Sequence, residues 1–309
     1  MKYLNIKNKI TNASEISLGM MRIHGMELKE IDALVKTALE NGINYFDHAD
    51  IYGGGKSEEK FSEAIGMNPS IREKLIIQTK CGIRGNSFDF SKEYILNSVD
   101  GSLKRLKTDY IDVLLLHRPD TLMEPEEVAE AFDILRANGK VKFFGVSNQK
   151  PYQIELLQKY LNKVNIEILI NQLQLSITNT GMIDSGLNVN MKNSSSVNHD
   201  GDILEYCRLK EITIQPWSPF QYGFFGGAFL GDTEQFPELN KVIDKYAEQY
   251  NITNSAVVIA WMLRHPAKMQ PIIGTKNKTR VAAICKASDI NMTRAEWYDI
   301  YTAAGNELP

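Results

Sequence analysis

Four residues invite a chemical reading first: Asp47, Tyr52, Lys80 and His117. Three of them, Asp47, Lys80 and His117, follow short apolar runs ("YF", "LIIQT", "VLLL"), at the point where a buried strand would emerge. A buried lysine loses several kcal/mol, or its proton, unless a carboxylate faces it, and Asp47 is the candidate. Tyr52 lies five residues after Asp47, at the start of "YGGG". A phenol with an ordinary pKa of about 10 exchanges protons poorly at neutral pH, and an adjacent ammonium and imidazole are expected to bring it down. Together the four would form a proton donor for a developing alkoxide, with Tyr52 and His117 both able to hydrogen-bond a carbonyl oxygen as charge builds on it. No side chain supplies hydride, so such a site needs a nicotinamide.

Such residues need a frame that brings them to one place. Eight β-type runs alternate with helical segments: 15–21, 44–49, 74–80, 112–117, 141–147, 166–172, 213–218 and 270–275. Between them apolar residues recur at helical spacing, as in Leu28, Ile31, Leu34, Val35 and Ala38, or Ile95, Val99, Leu103 and Leu106. Ser91, Pro125 and Gly139 stand where helices should start or stop. Apolar strands covered on both faces and repeated eight times predict an α/β fold, a (β/α)8 TIM barrel, as one domain over residues 1–309. Two further helices, about 237–250 and one starting at the "TRAE" capping box of Thr293, are expected to pack on the barrel as accessories. In such barrels the C-terminal strand ends carry the site, which is where Asp47, Lys80 and His117 fall.

The segment 177–201 is rich in Asn, Ser and Gly and has no period. It reads as a long loop after the sixth strand, functional or disordered, and is expected to roof one side of an open pocket. By strand alternation His48 should point away from the site as a hydrogen-bonded structural histidine. Asp50 is expected to cap or pair at the strand end, Arg118 to pair with Asp120, and Met21 to serve as packing.

Composition narrows the classes. A net charge of −3 with 24% charged residues offers no polybasic surface for nucleic acid. Three cysteines without close spacing argue against a disulfide framework and fit a reducing compartment. The histidines show no metal-ligand spacing, so no metal is expected. No apolar run is long enough for a membrane helix or signal peptide, and a cytoplasmic protein is expected. Oligomeric state is not legible.

The motifs "GINYFDHADIYGGG", "QTKCG", "DVLLLHRPD", "GKVKFFGVSN", "NQLQLS", "PWSP" and "IIGTKNKTR", in this order, resemble those of the aldo-keto reductases, closest to short-tailed bacterial members. The resemblance implies a catalytic tetrad of Asp47, Tyr52, Lys80 and His117, with Tyr52 as general acid. It implies that Ser147, Asn148 and Gln172 hold the nicotinamide carboxamide and that Trp217 stacks on the nicotinamide ring beside Ser218. It further implies that Gly274, Thr275, Lys276 and Arg280 meet the adenosine end of the cofactor. Thr275 and Arg280 match family positions, whereas Gly274 stands where many members carry a basic residue. NADP(H) is favoured over NAD(H). No G-x-G-x-x-G follows a strand, which excludes a Rossmann mode of binding.

Three readings follow. The first is an NADPH-dependent carbonyl reductase acting on a small aldehyde or ketone. The second is a cofactor-binding regulatory protein of the same fold with little turnover. The third, a hydrolase using Asp47 and Asp50, is disfavoured because residues three apart on a strand face opposite sides.

Overall fold

In a computed structural model, which describes residues 1–223 and 226–309, the eight expected strands form a single parallel sheet. They are β1 (Ser17–Gly19), β2 (Tyr45–Asp47), β3 (Ile76–Cys81), β4 (Ile111–Leu116), β5 (Val141–Ser147), β6 (Ile168–Gln174), β7 (Thr213–Trp217) and β8 (Ile272–Ile273). Neighbours in sequence are neighbours in the sheet, and β8 pairs with β1. The barrel nearly closes: at the β7–β8 seam the Gln270 N–H donates to the Ile214 carbonyl at 3.0 Å.

Helices surround it, among them α1 (Leu28–Glu40), α2 (Lys56–Ala64), α3 (Lys92–Leu106), α4 (Pro125–Ala137), α5 (Pro151–Leu161), α6 (Ile203–Leu209), α7 (Pro237–Tyr250), α8 (Asn254–Leu263), α9 (Lys278–Cys285) and α10 (Arg294–Ala303). The expected boundary signals operate. Ser91 Oγ accepts from the Tyr94 N–H, Pro125 opens α4, and Thr293 and Glu296 form a reciprocal capping box. The accessory helices α7 and α10 pack on each other through Tyr246 and Lys245 to Asp299 (2.7 and 2.9 Å).

Among the elements not anticipated from sequence is one at the N-terminus. Tyr3–Ile6 and Ile10–Ser14 form an antiparallel hairpin whose Ile6, Ile10 and Ala13 pack with Tyr45, Val113, Leu115 and Ile170 of the barrel strands. The hairpin thus covers the barrel interior at the end opposite the polar strand termini. Above this apolar layer comes a run of buried amides. Gln78 and Gln172 both donate to Gln215 Oε1 (2.8 and 3.2 Å), Gln215 donates to Gln270 (2.8 Å), and Gln270 to the Ser14 carbonyl (2.6 Å). Because side chains alternate along a strand, Gln78 faces the same way as Lys80 two residues on, and the register sets Asp47 beside Gln78.

The segment 177–201 is not the structureless roof expected. It contains a helix, Gly181–Leu187, and a 3-10 turn, Ser194–Ser196, and none of its residues line the cavity at the strand ends. Its asparagines hold local backbone instead: Asn193 Oδ1 accepts from the Ser196 N–H, and Asn198 Oδ1 from Asp200 and Gly201. Asp184 is tied to Tyr301 Oη at 2.6 Å, so α10 anchors the segment.

Candidate active site

A cavity of about 540 Å³ opens at the C-terminal strand ends. Beneath it lies Lys80, fully buried, with its three ammonium hydrogens matched by three partners: Asp47 (2.8 Å), the His48 carbonyl (2.7 Å) and Tyr52 Oη (3.1 Å). Asp47 Oδ1 in turn accepts from Gln78 (2.6 Å) and Gln172 (3.1 Å), so the amide run ends on this carboxylate and fixes its orientation. Burial works against the Lys80 ammonium, but Asp47 and Tyr52 more than offset it and hold its pKa above the ordinary lysine value. The lysine stays charged.

Tyr52 reaches the cavity because the chain after it turns through three left-handed glycines, Gly53, Gly54 and Gly55, with φ of +60°, +65° and +91°. A Cβ on Gly53 would come within 2.5 Å of His24, so the turn requires glycine there on steric grounds as well. The expected fall in the Tyr52 pKa does not occur. Burial pushes the phenol above its ordinary value, and Lys80, though it pulls the other way, does not overcome that. Since Oη accepts from Lys80, the hydroxyl hydrogen is left to point elsewhere, and Tyr52 is a neutral donor. His117 stands across the cavity floor with its ring 6.0 Å from that of Tyr52 and nearly perpendicular to it. Burial first, then Lys80 and Arg118, depress its pKa well below the ordinary value, so the imidazole is neutral.

Around this centre the structure collects most of the other anticipated residues. Ser147, Asn148, Gln172, Trp217, Ser218, Gly274, Thr275 and Arg280 all line the cavity; Lys276 does not. Asn148 and Ser218 adopt left-handed backbone (φ +58° and +54°) immediately after β5 and β7, which bends each strand end at the cavity. Asn148 is pinned by donating to Ser147 Oγ (2.8 Å) and accepting from the Trp217 indole (3.0 Å). The indole is therefore a positioned cavity wall rather than core.

Several expectations are corrected. Arg118 lines the cavity with its guanidinium carbon 5.5 Å from the Trp217 ring centroid, while both oxygens of Asp120 take backbone N–H groups of Phe90 and Leu122. Met21 is 41% exposed at the cavity rim rather than packed. His48 does face away from the cavity, but neither ring nitrogen has a hydrogen-bond partner among the described residues; it packs edge-on against Phe61 at 4.6 Å. Asp50 accepts from Ser98 at 2.7 Å and also stays outside the cavity. The missed wall is the stretch after β7: Phe220, Gln221, Ala228 and Leu230 line the cavity, and a two-rung ladder pairs Gln221–Tyr222 with Gly227–Ala228. Its glycine-rich sequence carried no strand period, and only the cavity's shape reveals it.

A family model, described as the aldo/keto reductase family, matches residues 15–304. The chain belongs to the aldo/keto reductase family. Aldo-keto reductases are oxidoreductases that use nicotinamide cofactors on carbonyl and alcohol groups, and this chain falls in that class. It is 34% identical to the uncharacterized oxidoreductase YcsN of Bacillus subtilis strain 168, over 96% of each chain. It is also 34% identical to a 6-dehydroglucose reductase of Agrobacterium fabrum strain C58, again over 96% of each. The thermostable aldo-keto reductase Tm1743 shares the barrel, with a TM-score of 0.76 over 98% of this chain and 100% of that one at 24% identity. Among the described residues no His/Cys/Asp/Glu group could hold a metal, and no helix is long and apolar enough to cross a membrane.

Proposed function

We propose that this aldo-keto reductase reduces aldehydes or ketones with NADPH, using Tyr52 as the general acid. The observation that carries the reading is the linear relay Asp47–Lys80–Tyr52, ending in a phenol beside His117 at the cavity floor. A bound dihydronicotinamide supplies hydride to the carbonyl carbon. The chain's own task is the oxygen. Tyr52 gives it a proton, and the Lys80 hydrogen bond stabilises the phenolate left behind, while neutral His117 donates a second hydrogen bond to the same oxygen. Ser147, Asn148 and Gln172 offer amide and hydroxyl groups for a carboxamide, and Trp217 offers a flat face for a ring.

The preference for NADPH rests on the other end of the cavity. Thr275 and Arg280 line it where α9 begins, and the N–H groups and dipole of a helix start favour an anion, with Lys276 and Lys278 adding charge outside the lining. The 2′-phosphate of NADPH is the anion this end would suit. The substrate named for the Agrobacterium relative makes a hexose 6-aldehyde the first carbonyl to assay.

The test is a fluorescence titration with NADPH and NADH followed by a carbonyl panel. NADPH should bind more tightly, and Tyr52→Phe should lower kcat about 10²- to 10⁴-fold while leaving cofactor affinity within about twofold. Tight NADPH binding with no turnover on any carbonyl would instead favour a regulatory protein that senses the cofactor.

A further inference from the structure

Away from the active site, a second hollow of about 310 Å³ opens between the helix Gly181–Leu187, α6, the turn at Arg264–Pro266 and α10. Its lining includes Arg208, Arg264, Arg294, His265, Trp297 and Tyr298. Three guanidiniums around one hollow repel each other, and such groups usually find carboxylates. Here Arg208 and Arg294 have neither an ion pair nor a hydrogen bond among the described residues. Arg264 is anchored through Nε to the Met292 carbonyl at 2.5 Å, and its Nη groups have no acceptor among the described residues. Among the described residues Glu205 is the one acid on the lining, and it pairs with none of them.

The remaining walls are set for a ring. The Trp297 indole is buried, stacked on Trp261 and Tyr301 with its N–H spent on the Trp261 carbonyl at 3.1 Å, so it backs the hollow, and the exposed ring of the lining is Tyr298. Tyr298 stands edge-on to Trp297 at 4.9 Å, and Ile183 and Leu187 complete the apolar side. His265 Nδ1 accepts from the Ala267 N–H at 3.2 Å, which places the proton of the neutral ring on Nε2 as a further donor. The walls are rigid before anything binds, since the Trp261–Trp297 pair fixes α10 on α8 and Tyr301 fixes the 181–187 helix through Asp184.

We infer that this hollow is a second small-molecule site, for a flat ring compound carrying a phosphate or carboxylate group. The anionic group sits among the arginines, whose guanidiniums match its planar or tetrahedral oxygens by paired N–H donors, and the ring packs against Tyr298 and the apolar side formed by Ile183 and Leu187. The volume is at the low end for ligand pockets, enough for one substituted ring and too small for a dinucleotide.

Calorimetric titration of the full chain, with NADP⁺ saturating the cofactor site, distinguishes the two anion chemistries by using phenyl phosphate and benzoate separately, with phenol as the neutral control. At least one anion should bind, and the double variant Arg208→Ala with Arg294→Ala should weaken it tenfold or more. Both arginines are exposed and unpartnered, so this variant should keep kcat and KM for carbonyl reduction within twofold. Trp217→Ala, in the active-site cavity, should leave the anion's affinity unchanged. The inference is overturned if neither anion binds, if phenol binds as tightly as the anions, if the arginine variant retains full affinity, or if Trp217→Ala removes the binding.

Discussion

At the scale of single residues, Lys80 is the centre of the proposed relay. Its three hydrogens and three acceptors leave it no freedom, so removing Asp47 would leave a buried ammonium without its counter-charge. A different residue offers a test of the proposed preference for NADPH. Gly274 has ordinary backbone, and a Cβ built there meets nothing within 4 Å, although the position lines the cavity beside Thr275 and Arg280. A side chain therefore has room. Gly274→Arg should tighten NADPH about tenfold, the effect of one added charge-assisted hydrogen bond, and leave NADH within about twofold. Titration of both cofactors checks this, and equal tightening of the two would show that the added group does not meet a 2′-phosphate.

At the scale of elements, stability and chemistry sit at opposite ends of the barrel. Arg72, on the short helix Pro69–Arg72, is buried with each of its three side-chain nitrogens donating: to Asp112 at 2.6 Å, the Leu75 and Tyr110 carbonyls, and Thr108. Asp112, on β4, also accepts from the Ile77 N–H of β3 at 2.9 Å. The ion pair thus joins the short helix to β4, and the same carboxylate joins the starts of β3 and β4. Arg72→Ala leaves that carboxylate without its buried counter-charge and should cost about 3–5 kcal/mol of unfolding free energy, read from urea denaturation. The kinetics of the folded variant should not change, because none of these groups reaches the cavity. A loss below about 1 kcal/mol would mean that Lys142, 3.0 Å from the same carboxylate, substitutes for the arginine.

At the scale of the whole molecule, buried histidines set the acid limit. His48 and His265 are held at pKa values of about 3 and about 4, by burial first and then by nearby cations. His117 is depressed in the same direction. Below about pH 6.5 the unfolded chain binds these protons and the fold does not, so stability falls as pH falls from there. Asp50 opposes this: burial raises its pKa to about 6, so the fold takes up a proton that the unfolded chain still releases, down to about pH 4. Three groups outweigh one, and urea midpoints should drop between pH 7 and pH 5. His48→Leu removes one of the three together with two unpartnered ring nitrogens, and should flatten that slope while leaving stability at pH 7.5 within about 1 kcal/mol. An unchanged slope would show that His48 does not protonate on unfolding in this range.

The sequence by itself determined the barrel and the accessory helices, and it singled out Asp47, Tyr52, Lys80 and His117, which the structure brings together. Those follow from local signals: apolar periods, caps, and ionisable residues where apolar runs end. Contacts between distant segments were left to the tertiary structure. It alone joined Gln78, Gln172 and Gln215 of three strands, and Gln270 just before β8, to Asp47, set the N-terminal hairpin against the barrel core, and gave the cavity a wall from the stretch after β7 rather than from 177–201. It also reversed the expected direction of the Tyr52 pKa, because residue spacing names the neighbours of a phenol but not how far solvent is excluded from it, and here exclusion outweighs the ammonium beside it.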